Sequence, residues 1–428
     1  MNILLTGANG FIGRYLMARL HTAGHRVVPA VRRPAEIDRL LPAPTAIQVD
    51  LNLDVRPEDW MPRLAGIDAV INCAGVLQGR PGQSIEAIHA AAPIALFEAC
   101  RQAGVRRVIQ ISAISAEPAA GTAYAATKLA ADRFLVGTEL DWVIVRPSLV
   151  HAAGAFGGTA LFRALAALPG IIPVIGRGDQ PFRPIHIDDL AALVLRAVED
   201  RAINRTTLDP VGPDRVTLRE LLVDLRAWLG LPPARVIGIP MALVAPVARL
   251  GDLFGGPVST TALKQLAFGN DGDPDAFAAA SGLRPKGWRV ALLAHPAQWQ
   301  DRWHARLYFV RPLLRWSLAL TWLGSGLVGL LQPAERLAAI TAEMGLAAPL
   351  GHALGTLFSL ADLVLALALV TRWRPGLVAA AQLLLVGSYT IGLGLLLPAL
   401  WGEPFGPLLK NLPILAAILA LGALEADR

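Results

Sequence analysis

Four apolar runs, over 313–331, 351–371, 376–397 and 409–424, most constrain what this chain can fold into. The first three reach the roughly 20 residues a helix needs to span a bilayer, and the fourth is shorter. Buried helices of a soluble bundle would carry a polar face, and these runs hardly do. Four membrane helices are therefore expected. The composition agrees: 54% of residues are hydrophobic and only 17% charged, against a usual charged share of about 25%. Such a chain is too apolar for an ordinary soluble enzyme and too hydrophobic for a disordered or fibrous one.

Arginines set the expected orientation. Arg302, Arg306 and Arg311 precede the first run and Arg315 stands at its start, and Arg372 and Arg374 lie between the second and third. Glu335, Glu343 and Glu403 occupy the opposite loops, with Arg336 and Lys410 as minor exceptions. An even number of spans then places both termini and residues 1–300 in the cytoplasm, at the cell inner membrane. The opening MNILLTGANG lacks the basic start and long apolar stretch of a signal peptide.

The net charge of +6 comes mostly from scattered arginines, with no basic block interleaved with aromatics, so nucleic acid is not an expected partner. Cys73 and Cys100 form no disulfide framework or metal set, and both are expected to be buried in a reducing compartment.

Residues 1 to about 200 read differently. Short Val- and Ile-rich runs at 2–6, 26–31, 46–49, 69–72, 108–112 and 142–146 are apolar on both faces, as buried parallel strands require. Helical spacing fills the intervals, for example over 12–23 and 93–103. This alternation predicts an α/β fold with a doubly wound parallel sheet. From about 204 to 300 the chain reads as a smaller, mostly helical lobe. Thr217 and Glu220 stand in capping-box spacing before a helix running to Leu229, and the remainder is irregular and rich in proline.

Directly after the first strand comes Thr6-Gly7-Ala8-Asn9-Gly10-Phe11-Ile12-Gly13. In a strand–turn–helix context, Gly7 permits the tight turn, Gly10 lets the backbone approach a pyrophosphate, and Gly13 lets the helix pack on the sheet. Free amides at the helix start complete an anion site. The second strand ends at Val31 and is followed by Arg32 and Arg33, where an NAD site usually carries an acidic residue. Basic residues there suit a 2′-phosphate, so NADP is the expected cofactor, with NAD as the alternative.

The glycine spacing resembles the short-chain dehydrogenase/reductase superfamily in its extended or atypical branch, which includes the NADPH-binding accessory subunit of respiratory complex I. Asp50-Leu51 matches the position where the family contacts adenine. Asn72-Cys73-Ala74-Gly75 resembles its N-x-A-G turn, Arg146-Pro147-Ser148 its R-P-x motif, and 182–189 its F-x-P-I/V-H segment. Tyr124 and Lys128 form the Y-x-x-x-K pair, one turn apart on one helix face. The resemblance implies that Tyr124 is the acid/base and that Lys128 holds the nicotinamide ribose. It implies that Ser112, with Ser115 as its rival, steadies the substrate oxygen, and that Ala74 and Gly75 lie beside the cofactor. A neighbouring ammonium and the cofactor's charge would lower the tyrosine pKa from about 10.

Residues 301–428 resemble the DoxX-like four-helix membrane family, through Trp322, Gly324 and the 406–413 segment with its Lys410-Asn411-x-Pro413 core. Asp362 lies near the middle of the second run, either a functional ionisable group or one hydrogen-bonded between helices. Gly324 with Gly329, and Gly387 with Gly392 and Gly394, are expected to let helices approach closely.

The complete expectation is a Rossmann-type domain over 1–300 followed by an all-α four-helix transmembrane bundle. It would be a membrane-anchored NADP(H)-dependent oxidoreductase acting on the carbonyl or alcohol of a lipophilic small molecule. Two other readings stand beside it: a non-catalytic nucleotide-binding module, and an NAD-dependent sugar-nucleotide epimerase or dehydratase.

Overall fold

The computed structural model describes all residues except 39–45, 80, 81, 255, 257, 346, 405 and 426–428. The chain divides into two compact units, 1–305 and 306–428.

Seven strands build the sheet of the first unit: β1 (Asn2–Thr6), β2 (Arg26–Val31), β3 (Ile47–Gln48), β4 (Ala69–Asn72), β5 (Arg107–Ile111), β6 (Asp141–Val145) and β7 (Thr206–Leu208). They are parallel throughout, in the order β7-β6-β5-β4-β1-β2-β3. Because side chains alternate across a strand, each apolar run feeds two cores. Ile3, Leu5, Ile71 and Ile109 pack on one face with Leu16 of helix α1 (Phe11–Thr22). Leu4, Val70, Val108 and Ile144 pack on the other with Leu96 and Phe97 of α2 (Ala92–Ala103) and Leu135 of α3 (Ala123–Val136). This is the doubly wound, Rossmann-like sheet that the alternation predicts.

Two features of this unit differ from expectation. The nucleotide core extends past residue 200, because β7 pairs with β6 and completes the sheet. The smaller lobe is also more regular than its prolines imply. Helices occupy Met241–Phe254, Thr260–Phe268 and Pro274–Ser281. Pro274 does not break the last of these but starts it, behind an Asp273 cap that accepts from two backbone amides. The predicted capping box holds: Thr217 and Glu220 exchange hydrogen bonds at the start of the lobe helix Leu218–Trp228. Helix α4 (Ile187–Glu199) packs under the sheet, with His186 as its N-cap.

The second unit is helical. A 32-residue helix, Trp299–Leu330, leads into it, followed by Ala334–Glu343, Ala348–Thr371, Pro375–Leu396 and Asn411–Glu425. Three of these helices are long and apolar enough to cross a membrane. The fourth expected span is a helix of only 15 residues, about 22 Å at 1.5 Å per residue and short of a roughly 30 Å hydrocarbon core.

Its surface is apolar, and polar pairs lie buried beside an apolar core that includes Leu318, Leu365, Val386 and Ile418. Ser325 donates to Asp362 at 2.6 Å, Trp322 Nε1 to Gln382 at 2.8 Å, and Asn411 to Thr390 at 2.8 Å. Arg315, counted above among the orienting arginines, is buried in an ion pair with Glu425. Of the expected close-packing glycines, Gly329 approaches a neighbouring helix, joined by Gly326. A Cβ on Gly326 or Gly329 would lie 2.7 Å or 2.2 Å from atoms of Ser359, whereas Gly324, Gly387 and Gly392 face open space and Gly394 meets the Trp401 ring.

Candidate active site

Strand order reverses between β1 and β4, and the carboxyl ends of these strands are where an open α/β sheet forms a ligand crevice. Loop backbones meet closely there: a Cβ on Gly7, whose φ is +66°, would lie 2.9 Å from Ala74 N and Cα. A Cβ on Gly13 would lie 2.1 Å from the Gly7 carbonyl. Side chains at either position would collide with this backbone, so the two glycines let the loop pack tightly on the 73–74 turn and on the start of α1, with the first-turn amides left at the cleft. A buried polar ladder ties the strand ends together. Thr6 Oγ donates to Asn72 Oδ1 at 2.5 Å, and Asn72 Nδ2 donates to Gln110 Oε1 at 2.7 Å.

Above this floor lies a cleft of about 400 Å³, within the usual range for cofactor and ligand sites. Gly7, Asn9, Gly10, Phe11, Ile12 and Gly13 line one wall. Arg32, Asp50 and Leu51 line the end beside β2 and β3. Ala74, Gly75, Ser112, Tyr124 and Lys128 line the other end. Of the expected cofactor residues, only Arg33 is not in the wall.

Electrostatics differ at the two ends. Asp50 accepts from the Asn52 backbone and side-chain amides at 3.0 and 2.9 Å. Although burial opposes it, these bonds and the Arg32 charge hold the carboxyl below its ordinary range. Asp50 is thus an anion able to accept a hydrogen bond, and Arg32 leaves a cation beside it.

At the other end, α3 starts at the Thr122 cap, whose side chain accepts from the Ala125 amide. The i, i+4 spacing then carries Tyr124, Lys128 and also Asp132 along one face. Lys128 Nζ donates to the Ile111 carbonyl at 2.9 Å. Burial lowers its pKa, with Asp132 acting in the opposite sense. Asp132 is itself raised by burial, opposed by Ser112, Lys128 and Arg146. Tyr124 is half-buried, and burial, reinforced by the Asp132 charge, pushes its phenol up to about 12. Without a cofactor's charge in the cleft, desolvation and a carboxylate one turn beyond Lys128 both raise it. Ser112 differs from expectation, because its Oγ donates to Asp132 Oδ2 at 2.6 Å. Ser115 is buried away from the cleft wall.

Sequence reasoning did not find His89. It sits in a π-helical turn, Ala87–Ala91, ahead of α2, and its ring stands edge-on to Tyr124 at 5.4 Å. Its Nε2 accepts from the Val76 amide at 2.9 Å, which leaves the proton on Nδ1, 3.1 Å from Thr127 Oγ. Burial first, and then the Lys128 charge, lowers its pKa to about 2, so the ring is neutral. Nothing in the sequence around His89 marked it. Asp132 was legible as the residue one turn past Lys128.

Comparison with known proteins places both units. Residues 7–201 match the NAD(P)H-binding family, and residues 319–419 the DoxX-like family. The chain joins an NAD(P)H-binding Rossmann domain to a DoxX-like domain, and its apolar helices with that domain support an integral membrane protein. Ceramide reductase from Caulobacter vibrioides is 26% identical over 304 residues, covering 69% of this chain and 93% of that protein. A mitochondrial NADH dehydrogenase (ubiquinone) 1 alpha subcomplex subunit 9 from Arabidopsis thaliana is 28% identical over 251 residues, covering 55% and 61%. Among solved structures, the NADPH complex of an NADPH-dependent quinone oxidoreductase from Escherichia coli superposes with a TM-score of 0.55 at 18% identity, covering 68% of this chain and 99% of that one. MoeE5 in complex with UDP-glucose and NAD superposes with a TM-score of 0.51 at 22% identity, covering 71% and 99%. These structures share the fold and themselves hold NAD or NADPH.

Proposed function

We propose that this protein is a membrane-bound NADP(H)-dependent reductase that converts the carbonyl group of a lipophilic substrate to an alcohol. The observation carrying this reading is the cleft itself, which brings the glycine cradle, Arg32 and the Tyr124–Lys128 pair to one crevice at the β1/β4 reversal. Gly7, Gly10 and Gly13 would hold the pyrophosphate, and Asp50 would accept from the adenine amine. Arg32 would pair with a 2′-phosphate by charge-assisted bonds, which favours NADP over NAD. Lys128 and Gly75 would border the nicotinamide ribose. The residues present fit the dinucleotide: the glycine loop at the start of α1, Arg32 and Asp50 at one end and Lys128 at the other all line one cleft of about 400 Å³.

With NADPH held there, the cofactor would supply the hydride for the carbonyl carbon. Tyr124, protonated at neutral pH, donates its phenolic proton to the carbonyl oxygen as negative charge develops there. Lys128 stabilises the tyrosinate left behind, and a solvent proton restores the phenol. Ser112, held by Asp132, would steady the oxygen only by turning its hydroxyl from that carboxylate. Neutral His89 packs against the Tyr124 ring and fixes its orientation.

The lipophilic substrate class rests on two supports: fusion to a membrane unit, and similarity to a protein named as a ceramide reductase. In this reading the nucleotide domain and both chain termini face the cytoplasm at the inner membrane, as the arginine distribution favours. The test is NADPH consumption by detergent-purified protein on addition of a total lipid extract, with mass spectrometry of the lipids. A species gaining two hydrogens is the expected product. Tight NADPH binding with no consumption by any extract or quinone would favour the non-catalytic reading, which draws on the commitment of Ser112 to Asp132.

A further inference from the structure

The lobe helix Met241–Phe254 carries an apolar stripe that the described residues of its unit leave uncovered. Leu243, Val247, Leu250 and Leu253 are 53–78% exposed, and Pro246 among them is exposed too. Helical spacing places these five side chains on one face. Exposed apolar patches of this kind mark surfaces that meet a partner or a membrane.

The helix is held with that face outward. Ala248, on the opposite side, is fully buried, and a Cβ on Gly251 would collide with the Val258 carbonyl, so backbone meets backbone there. Asp252 is turned away from the stripe, accepting from the Thr260 amide at 3.0 Å and from the Thr260 hydroxyl at 2.7 Å. Arg249 is exposed at the edge of the stripe, with no ion-pair or hydrogen-bond partner among the described residues. The outer surface is thus aliphatic with a cation on its rim. The same region reaches the cleft. From the next helix, Thr260–Phe268, Gln265 Nε2 donates to Thr122 Oγ at 2.7 Å and Lys264 Nζ to the Gly121 carbonyl at 3.3 Å. Thr122 is the N-cap of α3, the helix that carries Tyr124.

We propose that this stripe inserts into the headgroup and acyl boundary of the bilayer, with Arg249 against the lipid phosphates. Three arguments select a bilayer over a protein partner. Residues 1–305 are continuous with a unit holding helices long and apolar enough to cross a membrane, which keeps a lipid surface within reach. Five side chains on one helix are far fewer than the roughly 20–30 residues a side of a stable protein interface. An aliphatic face rimmed by a basic residue is also the pattern of helices that lie in the interface plane, their apolar side sunk roughly 5–10 Å. Insertion does not depend on turnover. Its consequence, that a lipophilic substrate passes from the leaflet to the Tyr124 end of the cleft, rests on the reductase reading.

The experiment uses the full chain in nanodiscs of phosphatidylcholine and phosphatidylglycerol. Cys73→Ala and Cys100→Ala remove the native thiols, and Leu250→Cys then takes an NBD fluorophore. Leu53→Cys, at another exposed leucine of the first unit, is the control. Lipids carrying a doxyl group at a shallow acyl position should quench the label at 250 several-fold more than the label at 53. NADPH binding equal to that of the cysteine-free parent verifies folding. Quenching at 250 no greater than at 53 overturns the proposal. A blue-shifted label that lipid does not quench overturns it too, because the stripe then lies against protein, a second copy included. Quenching is read without turnover, so an inactive chain would count against the reductase reading and leave the insertion standing.

Discussion

Both units bury an apolar core, but the second also turns many leucines outward along its long apolar helices while keeping polar side chains between them. In the nucleotide-binding unit, Leu4, Leu96 and Leu193 are fully buried, and the polar side chains line a cleft. In the DoxX-like unit, Leu384 and Leu395 are each 75% exposed, while Gln382 and Asp362 are only 1% and 3% exposed. Each pattern is the stable one for a different solvent. Against water, burying leucine removes apolar area from contact with it, at about 25 cal/mol per Å². Against hydrocarbon that drive vanishes, and helices associate instead through polar pairs and small residues such as Gly326 and Gly329. A buried carboxylate means something different in each case: Asp132 tunes a cleft, whereas Asp362 joins helices.

Breaking the glycine cradle should separate the units most sharply. Gly13→Val places side-chain atoms where a Cβ already meets the Gly7 carbonyl at 2.1 Å. NADPH binding, followed by fluorescence titration, should fall below detection, while membrane insertion of the second unit is unaffected. Retained binding would mean that the cradle is not the anion site.

The pH dependence comes next. Because Tyr124 is pushed up to about 12, its proton is present throughout the neutral range. Carbonyl reduction should stay flat from about pH 6 to 9, whereas alcohol oxidation, which needs the tyrosinate, should rise about tenfold per pH unit below that pKa. A reduction rate that falls through pH 7 would assign the proton to another group.

Removing the cation beside the ribose is a smaller change. Arg32→Ala should cost NADPH roughly 1.5–3 kcal/mol, the range for a hydrogen bond to a charged group, and leave NADH affinity unchanged. Parallel titrations with the two cofactors check this. Smallest of all, Asp362→Leu removes the partner of Ser325 and should lower the thermal stability of the membrane unit by about 1 kcal/mol. NADPH affinity should not move.

What could be read from the sequence follows the same division. The strand core and the glycine loop were legible because backbone requirements are written as residue type: a parallel buried strand demands apolar residues on both faces, and a φ of +66° at residue 7 favours glycine. The lengths of the apolar helices were legible because bilayer thickness constrains them. Contacts between distant segments were not. Ser112 meets Asp132 through packing of β5 against α3, and His89 reaches Tyr124 from a π-helical turn. Arg315 finds Glu425 from the far end of the chain. Within a lobe read as mostly helical, the separate helices after Gly230 were not placed, and at Pro274 the reason is that proline reads as a break unless its place at a helix start is recognised.

The central claim is that Tyr124 delivers the proton in a site that holds NADPH without it. The most direct measurement compares Tyr124→Phe with wild type for NADPH affinity and for NADPH oxidation in the presence of the reducible lipid fraction. The account predicts a kcat lower by about 10²–10⁴-fold, with NADPH affinity within about threefold. Equal turnover in the two proteins would contradict it.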